Sequence, residues 1–175
     1  MTDERMGDGL WQAVKRMPAG SGIVFRHFAT PPRQRQAMFK QLRRVARRKH
    51  LLLMRAGEQP LSGEQGVHGV RNGRPGCMMT WPAHSRAEAV AGIRAGAVLV
   101  FVSPVYPTRT HPDARTLGAL RAAMIGRGLR CAVVALGGVD QRGFRHLQEL
   151  GFDGWAGIDA FSHRRAYQKR KAVPT

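Results

Sequence analysis

The chain has 175 residues, 43% of them hydrophobic, which is enough for one packed domain and too apolar for a disordered one. Lys and Arg number 29 against 11 Asp and Glu, a net charge of +18. That sign suits nucleic acid, small anionic substrates or a plain bias toward arginine, and it speaks to partners rather than to fold.

No apolar run is long enough to span a bilayer and no signal peptide is visible, so the chain reads as cytoplasmic with no membrane partner. Cys77 and Cys131 lack CxxC spacing and sit in apolar runs, which reads as two buried reduced thiols. No Cys/His spacing suggests zinc, and no Walker or Rossmann pattern occurs.

In chain order, residues 8–18 fit a short amphipathic helix with Asp8 as N-cap and Pro18 as stop. Residues 21–28 read as a strand. Pro31-Pro32 open a long basic helix to about His50, with Met38, Phe39, Leu42 and Val45 as its inner stripe. Strands follow at 51–54, 66–70 and 77–80, and the gap between the first two is too short for a full crossover helix. A helix is expected at 85–95, with Ala87, Val90, Ala91 and Arg94 facing the core. Then come strand 97–102, helix 113–127, strand 131–136, helix 140–150 and strand 153–158.

Strand, polar or glycine-rich loop, helix, repeated, is the grammar of a parallel α/β barrel. A complete (β/α)8 barrel runs to roughly 250 residues, so the fold class expected is a trimmed TIM barrel over 1–162 with a basic tail at 163–175. Residues 1–5 read as the end of a first strand whose beginning is missing, so the expectation is that the true chain starts about one strand earlier. Active sites of such barrels lie in the loops after the strands. Ser103-Pro104-Val105-Tyr106-Pro107-Thr108-Arg109-Thr110 and Leu136-Gly137-Gly138-Val139 both occupy that position and look built to hold a phosphate. Glycine lets backbone amides approach an anion, and a helix starting near Asp140 adds a favourable dipole.

Those two loops, with His84-Ser85 and the final glycine-rich strand, resemble the thiamine-phosphate synthase/thiazole tautomerase family. The resemblance implies phosphorylated pyrimidine and thiazole substrates. It also implies a dissociative substitution: the diphosphate leaves, a pyrimidine-methyl cation forms, and the thiazole nitrogen captures it. Such a step needs charge neutralisation and ring alignment more than acid–base help. Thr108, Thr110, Gly137 and Gly138 match the thiazole-phosphate half of the family site.

The diphosphate half departs from the family. The usual Gln-x-Arg-x-Lys is Val24-Phe25-Arg26-His27-Phe28 here, so only Arg26 is kept. Met54-Arg55 replaces an Asn-Asp pair, and His68 is followed by Gly69-Val70-Arg71-Asn72-Gly73 instead of the usual Gly-Gln-x-Asp. Magnesium remains an option for the reaction, but both usual carboxylate ligands are absent, and Arg supplies no oxygen. No metal site is therefore assigned. The expectation is either lost catalysis or a cluster of Arg26, Arg55 and Arg71, with Arg74, holding the diphosphate in the metal's place.

His84 is the second catalytic candidate beside Arg26. In the tautomerase branch a matching histidine shuttles a proton, which suits an imidazole near neutral pH. His27, His68 and His111 read as loop or binding residues. Synthase is thus the first reading and tautomerase the second. A non-catalytic phosphate- or nucleic-acid-binding barrel is the alternative from another class. It would rest on the outward face Arg33, Lys40, Arg43, Arg44, Arg47 and Arg48. No aromatics interleave those cations for base stacking, so nucleic acid is disfavoured. A homo-oligomer is compatible with the sequence.

Overall fold

The computed structural model describes residues 1–71, 76–108 and 114–158. All seven expected strands form: β1 Gly22–Phe25, β2 Leu52–Ala56, β3 Gly66–His68, β4 Met78–Ala83, β5 Leu99–Val102, β6 Ala132–Leu136 and β7 Gly154–Ala156. They pair in sequence order, each parallel to the next, into one curled seven-stranded sheet. The helices are α1 Gly9–Arg16, α2 Pro32–Arg48, α3 Arg86–Arg94, α4 Gly118–Gly126 and α5 Gln141–Glu149. No helix separates β2, β3 and β4 among the described residues, as the short spacings require. No described helix is long and apolar enough to cross a membrane.

Thr2 lies at the seam of the barrel: its amide donates to the Val24 carbonyl at 2.8 Å, while the Met1 amino group donates to the Gly157 carbonyl at 2.9 Å. Residues 1–2 thus connect β1 to the end of β7.

Side chains alternate across the strands with period two. Val24, Met54, Ala56, Phe101 and Val134 fill the barrel interior. The intervening residues face the helices, in two separate clusters. Ile23, Phe25 and Leu53 pack with Leu10 and Val14 of α1 and Phe39, Leu42 and Ala46 of α2. Val100, Val102, Val133 and Ala135 pack with Ala89 of α3, Ala122 and Ile125 of α4, and Leu147 of α5.

Five expectations of detail are corrected. The inner stripe of α2 is Arg35, Phe39, Leu42 and Ala46, with Met38 and Val45 only half-buried. Phe39 sets the rotation by packing on Phe25, ring centroids 5.6 Å apart. Arg35 can enter the core because Nε donates to the His27 carbonyl at 2.9 Å and Nη2 to the Ala56 carbonyl at 2.7 Å. Helix α3 buries Ala89 and Gly92 and exposes Ala87, Ala91 and Arg94. Trp81 fills the space against Gly92, where an added Cβ would lie 2.4 Å from the indole.

Helix α4 starts at Gly118, later than the expected residue 113, because the Leu117 and Gly118 amides donate to Pro104 and Val105 carbonyls and the Gly118 φ is +72°. Asp8 precedes α1 but makes no side-chain cap bond. Cys77 and Cys131 are free but only half-buried.

Candidate functional site

A cavity of about 950 Å³ opens at the carboxyl ends of the strands, the end where barrels of this type react. Arg26 and Phe28 reach it from beyond β1, His68 from β3, His84 from beyond β4, Thr108 from beyond β5, and Gly137, Gly138 and Asp140 from beyond β6.

The β5 and β6 loops are stitched together. Val105 donates to the Leu136 carbonyl at 2.9 Å and Tyr106 to the Gly137 carbonyl at 3.0 Å. Gly137 and Gly138 both have positive φ, +98° and +63°. A Cβ on Gly138 would stand 2.5 Å from the Pro107 carbonyl, so no other residue fits this approach. Thr108 is thereby brought beside the glycine pair on the cavity wall. Asp140 starts α5 by accepting from the Gly143 amide at 2.7 Å. Amides, hydroxyl and helix start converge on one wall, an arrangement suited to a phosphate.

His84 stands at the start of α3. Ser85 caps that helix by accepting from the Glu88 amide at 3.2 Å, and the His84 amide donates to Glu88 Oε2 at 2.7 Å. The His84 Nδ1 lies 2.7 Å from the Ser103 carbonyl. A carbonyl only accepts, so Nδ1 carries the proton. In the neutral ring Nε2 is then the basic nitrogen, the tautomer a proton shuttle requires.

His68 is buried on the cavity floor, with Nδ1 3.0 Å from Thr80 Oγ1 and the Phe101 ring edge-on at 5.2 Å between centroids. Burial, and then the nearby Arg26 charge, push its pKa down to about 4. It is therefore a neutral hydrogen-bonding group near pH 7. His27 turns away from the cavity, stacking on Phe25 at 4.6 Å with Nδ1 3.0 Å from Thr2 Oγ1.

The proposed arginine cluster does not assemble among the described residues. Arg26 borders the cavity. Arg55 occupies the helix-facing side of β2 with Leu53, since the period-two alternation turns it away from Met54 and Ala56. There Nε forms a buried ion pair with Glu64 Oε2 at 2.6 Å, and Nη1 donates to the Gly57 carbonyl. Arg71 is exposed, beside Arg86 and Arg94 on a groove along α3. Arg74, Thr110 and His111 lie outside the described residues.

No group of three or more His, Cys, Asp or Glu among the described residues is placed to hold a metal. Among the described residues Asp140 is the one carboxylate of the cavity lining, and its Oδ1 serves as the α5 cap. The donor set of the described residues does not fit a magnesium ion, which takes near-octahedral oxygen ligands.

Sequence reasoning missed Phe28, which borders the cavity, Ser103, which sets the His84 tautomer, and the Glu64 partner of Arg55. Counting by twos from Val24 through Arg26 to Phe28, and from Leu53 to Arg55, carries the signal for the first and for the placement of Arg55.

A curled parallel sheet whose strand-end loops line one cavity at its carboxyl end defines a TIM-barrel-type fold. The family model described as thiamine monophosphate synthase matches residues 2–161, and the chain belongs to that family. It is 25% identical to the thiamine-phosphate synthase of Pyrococcus furiosus in an alignment covering 91% of this chain and 84% of that one. A shorter stretch is 39% identical to the Geobacillus thermodenitrificans thiamine-phosphate synthase, covering 46% of this chain and 37% of the relative. The structure of the thiamine phosphate pyrophosphorylase from Pyrococcus furiosus superposes with a TM-score of 0.77 over 92% of this chain and 84% of that one, at 23% identity, which supports the fold.

Proposed function

We propose that this protein acts in thiamine biosynthesis, joining a pyrimidine-methyl diphosphate to a thiazole phosphate with release of pyrophosphate. The observation that carries this reading is the Gly137-Gly138 turn locked against Pro107-Thr108 on the wall of the cavity, with α5 starting beside it. Family membership supports it independently.

In the proposed step the methylene carbon–oxygen bond breaks and its electron pair leaves with pyrophosphate. The thiazole nitrogen lone pair then forms the new carbon–nitrogen bond, and no proton needs to move. The glycine amides and Thr108 would hold the thiazole phosphate, fixing its ring. Arg26 would face the departing charge. No role is assigned to magnesium.

The second reading, a tautomerase acting on the thiazole phosphate, is favoured by one observation: the Ser103 carbonyl keeps the proton on His84 Nδ1 and leaves Nε2 basic.

The test is product formation from the two substrates, with magnesium and with excess chelator. Thiamine phosphate in both conditions is the expected result. No product in either, with isomerisation of thiazole carboxylate phosphate that His84→Gln abolishes, would replace the first reading by the second.

A further inference from the structure

Phe28 is exposed at 59%, and of the large apolar side chains that are exposed among the described residues it is the one bordering the cavity; Val98, Leu120 and Met124 lie elsewhere. Water-facing phenyl surface in a concave site is surface kept for a ligand. The ring is placed rather than loose. Arg26 and Phe28 both line the cavity, while His27 between them is held outward by Phe25 and Thr2.

Gly57, at φ +83°, stands behind the ring: a Cβ there would lie 3.0 Å from Phe28 Cε1. The rim itself is fixed, because Arg35 holds the His27 and Ala56 carbonyls and Arg55 holds that of Gly57. The Arg26 Cζ is 6.0 Å from the Phe28 centroid, at the outer limit of cation–π contact. Phenyl and guanidinium therefore stand side by side on the wall away from the Gly137-Gly138 turn.

A lysine at position 28 would add a second cation beside Arg26 for a diphosphate. A phenyl adds none and offers an aromatic face instead. We propose that Phe28 is a specificity-determining stacking surface for a planar nitrogen heteroaromatic ring, that of an aminopyrimidine, with Arg26 beside it as the single cation on this wall among the described residues. Aromatic faces attract such rings in offset stacks, whatever the ring's hydrogen-bonding pattern. The consequence is a β1 wall that recognises the ring more strongly than the diphosphate. This inference rests on the proposed reading of the cavity as the site for pyrimidine and thiazole substrates.

The experiment is calorimetric titration of the intact chain with three probes: the hydroxymethyl aminopyrimidine alcohol, inorganic pyrophosphate, and thiazole phosphate. Phe28→Ala and Phe28→Leu are expected to weaken the pyrimidine about 5- to 100-fold, while Phe28→Tyr stays within about threefold of wild type. Phe28→Lys should weaken the pyrimidine and tighten pyrophosphate about tenfold. Thiazole phosphate should bind all four variants as it binds the wild type, which also reports an intact fold. Wild-type pyrimidine affinity in Phe28→Ala, with thiazole phosphate still bound, overturns the stacking role and leaves the reading of the site standing. A wild-type protein that binds neither organic probe overturns both.

Discussion

The two sides of the barrel are built on the same alternation but hold different contents. On the β5–β7 side the loops carry the family's residues, and backbone geometry enforces them: Gly138 cannot be replaced without striking the Pro107 carbonyl. On the β1–β3 side the family's polar residues have given way to Phe28, Met54 and Arg55. Chain from Gly9 to Gly57 carries twelve Lys and Arg and no acid, yet only Arg26 of these reaches the cavity lining. Local charge density therefore says little about what a site can hold. Strand register decides which charges face it.

The sharpest way to break this comparison is to remove Arg55. If it is a structural cation, Arg55→Ala strands the buried Glu64 carboxylate and should destabilise the fold by about 3–5 kcal/mol. Pyrophosphate affinity of the folded fraction should stay unchanged. Arg71→Ala, at an exposed position, should alter stability by no more than about 0.5 kcal/mol. Denaturant unfolding and calorimetry read both. Loss of pyrophosphate binding without loss of stability would return Arg55 to the site.

On the other side, Gly138→Ala should lower thiazole phosphate affinity about 100-fold, the scale expected when a site shifts by an ångström. An unchanged affinity would mean that the turn shapes the barrel without touching the phosphate.

The third effect depends on pH. The His68 pKa lies near 4 in the fold, below the 6.5 of a free imidazole, so the unfolded chain binds the proton first as pH falls. Stability should then be full above about pH 6.5 and decline toward pH 4, by roughly 3 kcal/mol from this residue. His27, also lowered chiefly by burial, acts in the same direction. Unfolding curves from pH 7 to 4 should be flatter for His68→Gln. An identical slope would show that His68 titrates as it does in solvent.

Much of the fold was legible without coordinates because each strand is an apolar run closed by glycine or a polar loop. Parallel order follows from the helices after β1, β4, β5 and β6, while β2, β3 and β4 pair in parallel without one among the described residues. The cavity wall proposed to hold phosphate was legible for the same local reason, since Gly137-Gly138 and Thr108 lie within the loops that end β6 and β5. Rotations of α2 and α3 were not, because Trp81 against Gly92 and Phe25 against Phe39 are contacts between distant segments.

By itself, then, the sequence determined the order of strands, the end of the barrel that carries the site, and the glycine turn that walls it. These depend on residues close together in the chain, whose backbone preferences act locally. Only the tertiary structure decided that Glu64 holds Arg55, which nitrogen of His84 is basic, and that Gly57 stands behind the open Phe28 ring. Those outcomes rest on partners in separate segments, Glu64 in the loop nine residues after Arg55 and Ser103 after the strand next to that of His84, which the alternation of one strand does not name.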